Sequence, residues 1–144
     1  MKNLKFAFIS FVLLSTSAFA STEVVVYKSP YCGCCTEWVE HMEENGFTVK
    51  IEDHENMNPI KERLGVDPSL ASCHTAVIND YVFEGHIPAD DIKQFLAEPR
   101  DFKGLAVPGM PMGSPGMEYG DKKDRYQVVA FKENGKLALF NTHN

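Results

Sequence analysis

Three of the chain's four cysteines stand within four residues, Cys32, Cys34 and Cys35, in the stretch "YCGCC". Cys32 and Cys35 have the Cys-x-x-Cys spacing that thiol–disulfide chemistry uses. Cys34 is one thiol more than that chemistry needs. The residues that follow, "TEWVEHMEENGF", put Cys35, Trp38, Val39 and Met42 at helical spacing, and Asn45-Gly46 ends the pattern. Cys32 then falls near the helix N-cap, with Cys34 and Cys35 in the first turn. Unpaired N–H groups and the positive end of the helix dipole favour negative charge there. Thiol pKa values in such places can fall to roughly 3.5–7.5. A thiolate is both a redox nucleophile and a soft-metal ligand, so this placement serves either use.

Other soft or nitrogen donors lie downstream. Cys73 and His74 stand just before the strand-like "TAVI", and His74 reads as a site residue. His86, in "EGHIP", reads as a ligand or as a helix-capping and packing residue. His41, two turns after Cys34, reads as a partly buried structural histidine, and His54 and His143 as solvent-exposed. Met110, Met112 and Met117 lie in "PGMPMGSPGME", whose prolines and glycines cannot form a helix, so core packing explains them poorly; for Met112 the two readings balance. Thioethers and thiolates are soft donors that select Cu(I). Zinc prefers closed Cys and His sites and does not recruit methionine. Met42 reads as core and Met57 as surface. There is no spaced carboxylate pair, Gly-rich phosphate loop or Gly-x-Ser-x-Gly, which sets hydrolase chemistry aside.

Regular elements must position these groups. "EVVVY" reads as a buried strand and "FTVKIED" as a second one. Pro59 opens a short helix, "PIKERLG", closed by Gly65. After "VDPSLASCH" come the strand "TAVI", a tight turn at Asn79-Asp80 and the strand "YVFEG". Pro88 starts a helix through about Ala97, with Ile92, Phe95 and Leu96 on its inner face. The order β-α-β-α-β-β-α predicts parallel pairing of the first two strands and an antiparallel hairpin after them. "GLAVPGMPMGSPGMEYGDKKD" reads as a long loop with no ladder, mobile until metal orders it. "RYQVVAF" and "KLALF" read as a closing β-hairpin around Glu133-Asn134-Gly135.

The ends and the charge set the address. Lys2 and Lys5, the apolar run from Phe6 to Leu14 and Ala18-Phe19-Ala20 make residues 1–20 a cleaved secretory signal peptide. The run is too short for an ordinary transmembrane helix, so no stable membrane insertion is expected, and a bacterial-looking signal points to the periplasm. Removing Lys2 and Lys5 from 14 basic side chains leaves 12 against 20 acidic ones, a formal charge of −8. That balance disfavours nucleic acid and anionic membranes. Residues 21–144 fit one domain that does not need disulfides merely to stay folded.

With Cys-x-x-Cys at the first strand-to-helix junction, the element order resembles the thioredoxin-like pattern. In such folds the loop before the third strand passes beside the Cys-x-x-Cys and normally carries a cis-proline; Cys73 and His74 replace it here. "SPYCGCCTEWVEHM", "SCHTAVI", "EGHIPADDI" and "GLAVPGMPMGSPGMEYG" together resemble the CopG-type proteins, small periplasmic proteins of bacterial copper-resistance loci. That resemblance implies a thioredoxin-like fold and copper, as one or several Cu(I) ions, bound through Cys32, Cys34, Cys35 and Cys73. His74, His86, Met110 and Met117 stand in matching motifs. It also implies redox activity on copper, for which Cys32 and Cys35, by their Cys-x-x-Cys spacing, read as the redox pair. The partners of such a role are copper ions and a copper-exporting ATPase, an efflux system or a periplasmic copper carrier. Three or four thiolates in one pocket can bridge several Cu(I) ions; without metal they can form two disulfides, in any of three connectivities. Two other classes stay open: a thiol–disulfide oxidoreductase acting on periplasmic proteins, and a zinc-binding or disulfide-stabilised module.

Overall fold

Alternate burial of Val24, Val26 and Lys28 marks the first strand, β1 (Glu23–Lys28). Its β-branched side chains suit a half-buried pleated surface. The computed structural model describes residues 21–98 and 101–144, so the expected signal peptide, residues 1–20, lies outside the described residues. After β1 come α1 (Gly33–Glu44), β2 (Thr48–Asp53), α2 (Asn58–Arg63), a 3-10 turn (Pro68–Leu70), β3 (Thr75–Ile78) and β4 (Tyr81–Glu84). The chain continues with α3 (Ala89–Ala97), β5 (Gly104–Ala106), β6 (Tyr126–Phe131) and β7 (Leu137–His143). The strands form one seven-stranded sheet in the order β2-β1-β3-β4-β5-β6-β7. Among the described residues no helix is long and apolar enough to cross a membrane.

The expected pairings are present: β1 and β2 run parallel, and β3 and β4 form an antiparallel hairpin turned at Asn79, whose φ is 54°. Trp38, Val39 and Met42 of α1 and Ile92 and Phe95 of α3 are buried in the main core. The rings of Tyr81, Phe83 and Phe140 meet Phe95 edge-on, the arrangement that aromatic quadrupoles favour.

The stretch after Pro99 corrects the loop expectation. Gly104–Ala106 is a strand, parallel to β4 and antiparallel to β6, so the C-terminal hairpin continues the main sheet. Three residues show no period, which hides such a strand from pattern reading. Gly104 is what lets it approach: a Cβ there would stand 1.6 Å from the Val82 carbonyl oxygen. His143 also departs from its exposed expectation. Its Nε2 lies 2.6 Å from Asp91 Oδ2, its ring stacks on Tyr126, and Asn141 donates to the other Asp91 oxygen at 2.7 Å. Asp91 thereby fastens β7 to α3. His54 is half-buried, with its ring 5.9 Å from that of Tyr27.

One row of the sheet decides where the chemistry goes. Tyr27 of β1 sits opposite Thr75 of β3, Thr75 opposite Glu84 of β4, and Glu84 opposite Ala106 of β5. Everything just beyond that row therefore shares one end of the sheet: the turn into α1, Cys73 and His74 before β3, His86 after β4, and the loop after β5. Glu84 pins the row. Its carboxylate is fully buried, pairs with Lys61 Nζ, and accepts from Ser72 N at 2.7 Å and Thr75 Oγ1 at 2.6 Å. Lys61 donates to Thr75 Oγ1 as well, at 3.0 Å.

Removing one partner of a buried ion pair strands the other charge, at a cost of about 3–5 kcal/mol. Glu84→Ala is expected to lower the unfolding free energy by that order in urea denaturation. Lys61→Met/Glu84→Gln, which strands no charge, is expected to recover part of the loss. A Glu84→Ala midpoint equal to wild type would mean that the pair does not hold this corner.

Candidate metal centre

Helix α1 begins directly after β1. Cys32 is its N-cap residue, with extended backbone, and Cys32 N donates to Ser29 O at 3.1 Å. Cys32 and Cys35 are joined by a disulfide, with Cα atoms 5.3 Å apart. Cys34 and Cys73 are free thiols. The sulfur of Cys34 lies 3.5 Å from that of Cys32 and 3.9 Å from that of Cys73. Cys34 thus contacts both the disulfide and the fourth cysteine. All four sulfurs lie within 4.8 Å of one another.

A second group adjoins the first through Cys73. His86 Nε2 lies 3.0 Å and His74 Nδ1 3.4 Å from Cys73 Sγ. His86 Nδ1 is 2.8 Å from the carbonyl oxygen of Pro115. A carbonyl can only accept, so Nδ1 carries the proton and Nε2 presents its lone pair to Cys73. An outer partner of this kind orients ligating histidines in metal sites. His74 is fully buried between Trp38, with ring centres 4.4 Å apart, and His86, at 4.9 Å. Its Nε2 has no hydrogen-bond partner among the described residues.

Electrostatics keep these groups uncharged. Burial, helped by His86 and Lys61, holds the His74 pKa well below the ordinary histidine range; burial also lowers those of His86 and His41. Burial first, and then neighbouring Cys34, pushes the Cys73 thiol up to about 12. A metal binding there must displace a proton. Cys73 sits before β3, away from the helix start where easy ionisation is expected, and two of the thiols there, Cys32 and Cys35, are joined. His41 is structural, as expected, and its Nε2 accepts the Ala89 N–H at the start of α3 at 3.0 Å.

The Gly/Pro/Met loop closes the site from above. Ser114, Pro115 and Gly116 are buried. Met117 N donates to Ser114 O and Gly113 N to Met117 O, at 2.7 and 2.8 Å. Gly116, at φ 84°, packs on α1 so tightly that a Cβ would stand 2.6 Å from Cys34 O and 2.9 Å from Trp38 N. At the other flank Ser72 donates to the Gly109 carbonyl and Gly109 N to Ala71 O. The structure thus gathers Cys32, Cys34, Cys35, Cys73, His74 and His86. Met117 adjoins Gly116 and is half-buried, while Met110 follows Gly109 with 52% of its surface exposed. Sequence reading missed Pro115, Gly116, Ser72, Lys61 and Glu84. Only Glu84 left a trace, as a charged residue in the buried stretch between Phe83 and His86.

The donor set of four sulfurs and two imidazoles is chemically soft, suited to copper, zinc or an iron–sulfur cluster. A family model described as a protein of unknown function, DUF411, matches residues 70–117. Two solved structures of a copper resistance protein, CopG, forms 1 and 2, are similar to the chain. Form 1 is 44% identical with a TM-score of 0.81, covering 86% of this chain and 98% of its own. Form 2 is 45% identical with a TM-score of 0.83, covering 87% and 100%. No curated protein matches the chain.

Two outcomes follow from this geometry. A buried neutral histidine contributes stability that is complete above its unfolded pKa of about 6.5 and is lost as pH falls below it, because the unfolded chain takes the proton first. For His74 the loss steepens as pH falls, towards a limit of about 1.4 kcal/mol per pH unit. Urea midpoints of the metal-free protein are expected to fall between pH 7 and 5, more shallowly in His74→Gln; a midpoint rising on acidification would contradict the neutral state. Gly116→Ala must lift the loop from α1, since both close atoms are backbone. Hydrogen exchange at residues 113–117 is expected to speed up while β1 and β3 stay protected. Unchanged loop protection would contradict the docking.

Proposed function

The chain belongs to the family of the copper resistance protein CopG, and from that premise we propose that it binds copper as Cu(I) on the sulfurs of Cys32, Cys34, Cys35 and Cys73. The observation that carries this is the convergence of four cysteine sulfurs within 4.8 Å. Four thiolates can bridge more than one Cu(I), and soft sulfur favours copper in that state. His74 and His86 extend the site through Cys73. Met117 and Met110 are proposed as soft, uncharged ligands that close over it, a role supported by the seating of Gly116 on Cys34. Copper is the cargo of this site.

Disulfide formation and four-sulfur metal binding exclude each other here. A disulfide removes two thiolates from the donor set, so the Cys32–Cys35 bond must be reduced before four sulfurs can hold copper. With Cys34 and Cys73 as the adjacent free pair, full oxidation is expected to give Cys32–Cys35 and Cys34–Cys73. The fold is read as thioredoxin-like, supported by the strand order β2-β1-β3-β4 with Cys-x-x-Cys opening α1. Residues 1–20 are proposed as a cleaved signal peptide, residues 21–144 as one periplasmic domain, and a copper-exporting ATPase, efflux system or copper carrier as its protein partner.

A second reading, thiol–disulfide exchange on other proteins, is favoured by the disulfide at the start of α1, with Cys35 buried and Cys32 partly open. Cys34→Ser separates the two. Under anaerobic titration the reduced protein is expected to take more than one Cu(I) per chain. Cys34→Ser and Cys73→Ser should each lower that capacity, and Met110→Leu/Met117→Leu should speed Cu(I) release. If the chain stops at one Zn(II) with no Cu(I) preference, copper is the wrong cargo. If Cys34→Ser leaves both insulin reduction and copper capacity intact while Cys32→Ser abolishes the reduction, the second reading prevails.

A further inference from the structure

The spacing of the sulfurs, rather than their number, carries a further activity. They form a compact cluster joined by successive contacts: Cys35 is bonded to Cys32, Cys34 lies 3.5 Å from Cys32, Cys73 lies 3.9 Å from Cys34, and all four sulfurs stay within 4.8 Å of one another. Thiol–disulfide exchange needs a thiol lodged against a disulfide sulfur, and productive approach begins at roughly 3–3.5 Å. Cys34 meets the distance condition towards Cys32, and a turn of its side chain brings it in line with the Cys32–Cys35 bond. We propose that Cys34 is an exchange thiol that moves a single disulfide between Cys32–Cys35 and Cys34–Cys73, with no outside oxidant or reductant. This deepens, and rests on, the reading of the four cysteines as one redox-linked copper site.

The steps balance. In the first, Cys34 Sγ attacks Cys32 Sγ; a Cys32–Cys34 bond forms and the Cys32–Cys35 bond breaks. Cys35 leaves as thiolate in the first turn of α1, where the helix end favours negative charge, and takes up the proton that Cys34 gave. In the second, Cys73 Sγ attacks Cys34 Sγ; the Cys34–Cys73 bond forms and the Cys32–Cys34 bond breaks. Cys32 leaves as thiolate and takes the proton of Cys73, for which His86 Nε2, at 3.0 Å from Cys73 Sγ, is the adjacent acceptor. One disulfide and two thiols stand on each side, so no electrons enter or leave.

The move has a consequence for cargo. With Cys32–Cys35 joined, the free dithiol is Cys34 and Cys73, beside His74 and His86. With Cys34–Cys73 joined, it is Cys32 and Cys35, at the helix start. The half-oxidised protein therefore offers two different two-thiol sites in turn. It also gives Cys34 a use that neither a Cys-x-x-Cys pair nor a passive fourth ligand requires.

The test uses metal-free, fully reduced protein given one equivalent of diamide. Samples are quenched with acid over time, the remaining thiols are alkylated, and fragment mass spectra show which two cysteines were free. Wild type is expected to pass from free Cys34 and Cys73 to a mixture in which roughly a tenth or more of molecules carry Cys34–Cys73, at a rate independent of protein concentration. Cys34→Ser is expected to hold Cys32–Cys35 joined and Cys73 free throughout. Cys32 and Cys35 remaining joined in every wild-type molecule would overturn the proposal, as would a Cys34–Cys73 bond forming in proportion to protein concentration. Cu(I) titration of the fully reduced protein keeps the two readings apart. A chain that takes Cu(I) but never exchanges loses only the relay, and one that exchanges but takes no Cu(I) loses only the copper assignment.

Discussion

A carboxylate that water does not reach holds the working end of this protein together. Glu84 is fully buried, and its two oxygens take Lys61, Ser72 N and Thr75 Oγ1. A buried charge is tolerated when it is paired and its remaining lone pairs are satisfied, and this one is. Its bonds to Ser72 and Thr75 bracket Cys73 and His74, so the loop that brings the fourth sulfur to the site is fixed at both ends. Gly85 completes the corner: at φ 79° it donates to His74 O, and a Cβ there would meet Ser72 and the Val107 carbonyl at 2.6 Å.

The site's chemistry is set by that burial. His74 and His86 stay neutral and the Cys73 thiol keeps its proton near neutral pH, so without metal the pocket adds no charge to a dry interior. Any metal that enters must displace protons and meets soft donors. Oxidation and metal compete for the same sulfurs, and the loop that carries Pro115 supplies both the cover and the carbonyl that fixes the His86 tautomer. Cover, tautomer and thiol spacing thus depend on one another through few residues.

Much of this was legible in the sequence because it is local. The helix start at Cys32, the strand "TAVI", the Asn79 turn and α3 follow from caps, periodicity and turn residues, and Cys73 and His74 stand out by their place before β3. The rest depends on long-range register. β5 is three residues long and is defined by what it pairs with, so no period marks it. The lid contact at Gly116 and the tautomer-setting carbonyl of Pro115 come from backbone approach, which leaves no side-chain signature. His143 looked exposed because its partner, Asp91, lies 52 residues away. The Lys61–Glu84 pair was hidden for the same reason: a lysine on a short helix reads as solvated until the sheet closes over it.

The account stands on four sulfurs acting as one copper site. The most direct measurement is copper K-edge X-ray absorption on reduced protein loaded anaerobically with Cu(I). The expected result is a first shell dominated by sulfur with copper–copper scattering beyond it, both diminished in Cys34→Ser. A shell of nitrogen and oxygen with a lone metal, unchanged by Cys34→Ser, would contradict the account.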